Sequence, residues 1–194
     1  MKRVLLILAA TAAIGGSLAA CATATPYQPA PAGRAAGGFG YSQYKIDGSH
    51  WRVTFSGNSL TSRETVEKYL LYRAAELTIE QGADWFQTTD RRTERSTSYY
   101  SDPDPFYDSP FWSSYGWGWR PSWRYYGGGF GWRSWDPWYG GAFWSRGMDL
   151  REVNRYEASG EIVMGKGPPP SGERVFDAHE VVKNLGPGIA RPTT

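Results

Sequence analysis

Thr61-Ser62-Arg63-Glu64-Thr65-Val66-Glu67-Lys68-Tyr69-Leu70-Leu71-Tyr72-Arg73-Ala74-Ala75-Glu76-Leu77-Thr78-Ile79-Glu80-Gln81-Gly82 is the stretch on which the fold turns. Val66, Leu70, Ala74 and Leu77 recur at spacings of three and four, one face of an α-helix, and Tyr69 and Leu71 widen that face. Thr61 and Glu64 have the spacing of a capping box. Gly82 is the residue type that closes a helix in the left-handed conformation. A helix so bounded is roughly 30 Å long at 1.5 Å per residue, enough to cover a small sheet. Leu70 is expected to face that sheet, and Glu67, off the stripe, to face solvent. Arg73 and Glu76, three apart, read as a helix-surface ion pair, while Glu76 and Glu80 oppose each other at i,i+4.

Working outward, the residues on both sides supply strands. In His50-Trp51-Arg52-Val53-Thr54-Phe55 the apolar positions alternate with polar ones, the pattern of a half-buried strand. Ser56-Gly57-Asn58 supplies turn chemistry before the helix. Beyond the helix, residues 85 to about 95 read as a second strand and residues 150–164 as a third, in which Gly160 suggests a bulge or bend. Asp177 and Glu180 mark the start of a short second helix with Val181, Val182 and Leu185 on its apolar face. The fold class is therefore α+β. A small sheet in β-α-β-β-α order carries its helices on one face, and a single domain spans 41–190. His50, at the start of its strand, reads as a polar edge residue, and His179 as a solvated residue in the first turn of the second helix.

Between the second and third strands, residues 97–146 form a Trp/Tyr/Gly-rich, low-complexity segment. Eight of the ten tryptophans lie in 99–144, with no Leu, Ile or Val. Without aliphatic filler it is expected to be a disordered, oversized loop rather than part of the core. Its rings are nonetheless the candidate binding residues. Trp112, Trp117, Trp119, Trp123, Trp132, Trp135, Trp138 and Trp144 could stack on sugar faces, with Arg120, Arg124 and Arg133 adding cation–π contacts.

The first forty residues carry a different message. Lys2 and Arg3 precede an apolar run from Val4 to Ile14, too short for a membrane span, and together they read as a signal peptide over 1–20. Leu18-Ala19-Ala20-Cys21 resembles a lipobox, in which Cys21 becomes lipidated, for example with palmitate, and N-terminal. Ala22 in place of aspartate directs such a protein to the outer membrane. Residues 21–40, rich in Ala, Pro and Gly, are expected to form a flexible tether that lifts the domain off the membrane. Cys21 is the only cysteine, so no internal disulfide exists. The chain has 21 Lys and Arg against 19 Asp and Glu, and losing Lys2 and Arg3 with the leader balances them, which argues against nucleic-acid binding.

Other chemistry finds little support. Residues 160–167 nearly match a phosphate loop, but Gly167 stands where Ser or Thr would meet magnesium and three prolines follow. Two histidines and no cysteine in the folded part leave no His/Cys metal site. Asp102, Asp104 and Asp108 lack the glycine and closing glutamate of a calcium loop. No cofactor and no catalytic residue is expected.

Several blocks resemble a family of small Gram-negative outer-membrane lipoproteins of unknown function. They are Tyr41-Ser42, Tyr44-Lys45-Ile46, Phe55-Ser56-Gly57-Asn58, Thr61-Ser62-Arg63, Tyr69 to Thr78, Glu161 to Pro169 and Phe176 to Val181. The resemblance covers roughly 41–90 and 150–187. It implies an outer-membrane lipoprotein, with no catalytic residue to carry over. The expected role is structural or interactive in the cell envelope, with the domain facing the periplasm. A glycan- or peptidoglycan-binding module is the alternative, and an envelope enzyme the third. The expected partners are the membrane through Cys21 and an envelope glycan or another envelope protein.

Overall fold

The computed structural model describes residues 23–31, 38–89, 114–115, 118–127, 131–135, 153–172 and 174–192. The elements are β1 (Gly40–Asp47), β2 (His50–Ser56), α1 (Arg63–Glu80), β3 (Trp85–Thr88), β4 (Ser122–Gly127), β5 (Gly131–Trp135), β6 (Val153–Gly165), β7 (Val175–Asp177) and α2 (Ala178–Leu185), followed by a 3-10 turn at Gly186–Gly188. The expected α+β class holds, with an antiparallel sheet and two helices. The order is richer than β-α-β-β-α: β1, β4, β5 and β7 join the three expected strands.

The sheet is organised on β6. One edge of β6 pairs with β2 over residues 157–163. Its other edge is shared, with β4 pairing along 153–159 and β3 along 162–165. β1 continues the sheet beyond β2, β7 beyond β3, and β5 beyond β4. β2 and β3 both run antiparallel to β6, so α1 carries the chain across an intervening strand rather than between neighbours.

The register sets two faces. Val53, Phe55, Ala158, Gly160, Ile162, Phe86, Phe176, Trp123 and Tyr156 fall on the inner one, because opposed residues of antiparallel strands share a side. α1 lies across this face, and α2 packs along α1. Leu70 is fully buried there, as expected.

Gly82, at φ +70, closes α1. Its amide donates to Ile79 O at 2.9 Å and that of Ala83 to Thr78 O at 3.0 Å, the two bonds of a Schellman motif. The start differs from expectation by one residue. Ser62 is the N-cap and accepts from the Thr65 amide at 3.1 Å. Thr61 is taken by another partner, since its Oγ1 accepts from the Thr25 amide at 2.8 Å.

Glu67 also departs from its expected place: it is 0% exposed, and neither carboxylate oxygen has a hydrogen-bond partner among the described residues. A single apolar stripe understates a helix that is covered on several sides. Besides the sheet and α2, Arg63 at its first turn lies 5.4 Å from the ring of Trp123, and Tyr27 packs edge-on against Tyr69 and Tyr72. Burial drives the Glu67 pKa well above its ordinary value, with only the charge of Arg63 opposing.

Tyr27 overturns the expectation that all of 21–40 is a loose tether. It is 2% exposed, and its hydroxyl donates to Glu76 Oε2. Glu76 also accepts from Arg73 Nη1 at 3.3 Å and Arg191 Nη2 at 2.8 Å, while Arg73 grips Glu80 through two bonds of 2.7 and 2.8 Å. The surface ion pair read from the sequence is thus a network joining Tyr27 and Arg191 to α1. Arg73 resolves the Glu76–Glu80 repulsion by binding both. Burial alone would raise the Glu76 pKa; bonds from Tyr27 and Arg191 and the charges of Arg191 and Arg73 outweigh it, so the net shift is downward. Burial raises the Tyr27 phenol, and its bond to Glu76 raises it further.

Candidate functional site

The aromatic segment is not only an insertion. Trp123-Arg124-Tyr125-Tyr126 and Trp132-Arg133-Ser134 are facing strands of a hairpin, with Tyr126 opposite Trp132 and Arg124 opposite Ser134. The strand period of two then sorts the side chains. Trp123 and Tyr125 turn inward and are buried, while Arg124, Tyr126 and Trp132 turn outward. Trp119, just before β4, is 0% exposed and packs edge-on against Phe86 and Phe176.

Gly160 explains where the Trp119 ring goes. It sits on β6 between the residues paired to β4 and those paired to β3, in unbroken register with Val53. A Cβ there would lie 3.1 Å from the Trp119 ring, a tight contact that glycine avoids. The expected bulge is absent, and the glycine serves close approach instead.

The outward side chains build a row on the outer face. The Arg124 guanidinium lies 4.8 Å from the Trp132 ring, and that of Arg155 lies 4.9 Å from Tyr126 and 5.5 Å from Phe39. Tyr126 and Trp132 meet at 5.6 Å. Glu157 accepts from Arg124 Nη1 at 3.0 Å and from Ser56 Oγ at 2.6 Å. Gly38, Phe39, Ser56, Gly57, Arg124, Trp132, Arg155 and Glu157 line a shallow cleft of about 50 Å³. Rings offer apolar faces, guanidinium groups offer charge and planar donors, and Glu157 offers an acceptor. This set can hold a sugar ring and meet an anionic substituent beside it.

Of the eight candidate tryptophans, Trp132 lines the cleft. Trp119 and Trp123 are core residues and are corrected here: strand parity and the gap over Gly160 bury them, so neither presents a face to a ligand. The backbone of Trp135 pairs with that of Trp123 on β5. Trp112, Trp117, Trp138 and Trp144 lie outside the described residues, as do Cys21, the signal peptide and the three aspartates of the rejected calcium loop. Sequence reading missed Phe39, Arg155, Tyr126 and Glu157. The signal for the hairpin was present: Gly127-Gly128-Gly129-Phe130-Gly131 between two alternating runs is hairpin chemistry.

The near-match to a phosphate loop runs as strand β6 up to Gly165, and the Gly167 amide is held by Asp84 Oδ2 at 2.7 Å. His179 is exposed in the first turn of α2, as expected, and Asp177 caps that helix by accepting from the Glu180 amide at 2.9 Å. His50 is not on an edge strand, because β2 lies between β1 and β6. It stands 3.7 Å from Asp47 and 3.8 Å from Glu161, which also binds Arg52. Among the described residues no group of three His, Cys, Asp or Glu is placed to hold a metal. No family model, no curated protein and no solved structure matches the chain.

Proposed function

We propose that this chain is an outer-membrane lipoprotein, anchored through Cys21, that serves an interaction role in the cell envelope through its outer-face cleft. The leader, the lipobox and the resemblance to small outer-membrane lipoproteins support the location, with the domain on the periplasmic side. The observation that carries the interaction role is the cleft itself: two guanidinium groups stacked on Trp132, Tyr126 and Phe39 beside a carboxylate, on the sheet face opposite α1. Aromatic faces take the C–H side of sugar rings, and arginine forks fit carboxylate or phosphate. The ligand class is an anionic envelope glycan such as a peptidoglycan strand.

Sedimentation of the mature protein with isolated peptidoglycan tests this reading. Trp132→Ala combined with Arg155→Ala should weaken binding by roughly tenfold or more, about 1.4 kcal/mol per decade. Unchanged binding in that double variant sinks the cleft as the interaction site. The same preparation, labelled with palmitate in cells, should lose its label in Cys21→Ala.

A further inference from the structure

The chain is fastened to the domain almost as far back as the proposed anchor. The Thr23 carbonyl accepts from Asn58 Nδ2 at 2.6 Å. Two residues on, the Thr25 amide donates to Thr61 Oγ1 at 2.8 Å, and Thr25 Oγ1 accepts from the Asn58 amide at 2.8 Å. Tyr27 then seals the segment into the core. Only Ala22 separates Cys21 from the first fastened residue, and two residue steps of chain span at most about 7 Å. A lipid on Cys21 therefore has no nineteen-residue tether to work with.

The place of attachment is the turn between β2 and α1. At its tip Leu60 is 53% exposed, more than Tyr44 and Ile46, the other exposed large apolar side chains among the described residues. Ile46 lies on β1 near its Asp47 end, beside the start of β2, so nearly the length of a seven-residue strand, roughly 20 Å, separates it from the turn, while Tyr44, opposite Arg52, lies part-way along. The cleft lined by Phe39, Trp132 and Arg155 reaches Gly57, at the start of the same turn. A projecting leucine in the turn to which the segment after Cys21 is fastened suits the acyl boundary of a bilayer.

We propose that the Asn58–Leu60 turn is a membrane-docking surface, pressed onto the bilayer by the short link to Cys21. The domain then lies on the membrane in one orientation instead of swinging on a tether. This inference rests on the proposed lipidation of Cys21.

Spin labelling of the lipidated full chain tests it. Acylation removes the one native thiol, so Leu60→Cys or Ile46→Cys supplies a single labelling site. The labelled proteins are floated on vesicles of phosphatidylethanolamine and phosphatidylglycerol, and collision with oxygen and with a water-soluble nickel chelate is measured. The label at 60 should be shielded from nickel by roughly threefold relative to the label at 46. A long Gly/Ser spacer inserted after Ala22 should restore nickel access at 60 while the protein still floats. Failure to float overturns the anchor reading and the docking together. Flotation with equal nickel access at 60 and 46 overturns the docking alone. Shielding that survives the spacer overturns the short link as its cause.

Discussion

Trp123 and Trp132 stand on facing strands of one hairpin, within one aromatic stretch, and have opposite fates. Trp123 is 1% exposed, under Arg63 and against Tyr156; Trp132 lines an open cleft beside Arg124. Nothing in residue type separates them. Parity along the strands does, because a one-residue step moves a side chain to the other face of the sheet. A stretch without aliphatic residues can thus contribute to the core on one side and present a binding surface on the other. Tryptophan's large apolar area replaces the missing Leu, Ile and Val on the buried side.

The widest test of that contrast is to remove an inner ring. Trp119→Ala should destabilise the mature protein by about 3–5 kcal/mol in chemical denaturation, the usual cost of truncating a buried aromatic. For the same reason, replacing residues 99–144 by a short linker should abolish the cooperative transition, since β4, β5, Trp119 and Trp123 go with it. A linker variant that unfolds as cooperatively as the parent would return the segment to the status of an insertion.

A smaller effect separates the carboxylates on the two sides. Glu157, on the outer face, is bonded to Ser56 and Arg124, whereas Glu67 is buried without a hydrogen-bond partner among the described residues. The Glu67 pKa is raised by burial, so its contribution to stability is fully present below the ordinary value of 4.5 and is lost as pH rises toward the folded-state value. Glu67→Gln should therefore gain stability relative to the parent as pH increases from acid to neutral. Each unit by which the pKa is raised adds about 1.4 kcal/mol to that difference. A difference that stays constant across this range would show that Glu67 is not a buried, titrating acid.

The least effect belongs to the outer ring. Trp132→Ala should change stability by no more than about 0.5–1 kcal/mol while weakening ligand binding. A loss as large as that of Trp119→Ala would mean that the outer row is structural and that the two faces do not differ in kind.

How much of this was legible can be traced residue by residue. The helix from Arg63 to Glu80, its glycine stop at Gly82, the burial of Leu70, strand β2 and the cap of α2 at Asp177 followed from local chemistry. Period, capping and turn residues act over a few positions, and all were visible. The proposed leader and lipobox are also linear patterns, and they lie outside the described residues. What only the tertiary structure decided were the pairings across long separations. Tyr27 looked like a lone ring in a Pro-rich tether until α1 and the tail at Arg191 supplied its partners. Glu67 looked solvent-facing until neighbours closed over the helix. Gly160 looked like a bulge until the ring of Trp119 arrived from forty-one residues away in sequence. In the cleft, Phe39, Arg155 and Trp132 come from three separate stretches of chain, and no local pattern marks them as neighbours. The physical reason is the same throughout: periodicity states which side of an element is apolar, but only the packing of distant segments states how many sides are covered.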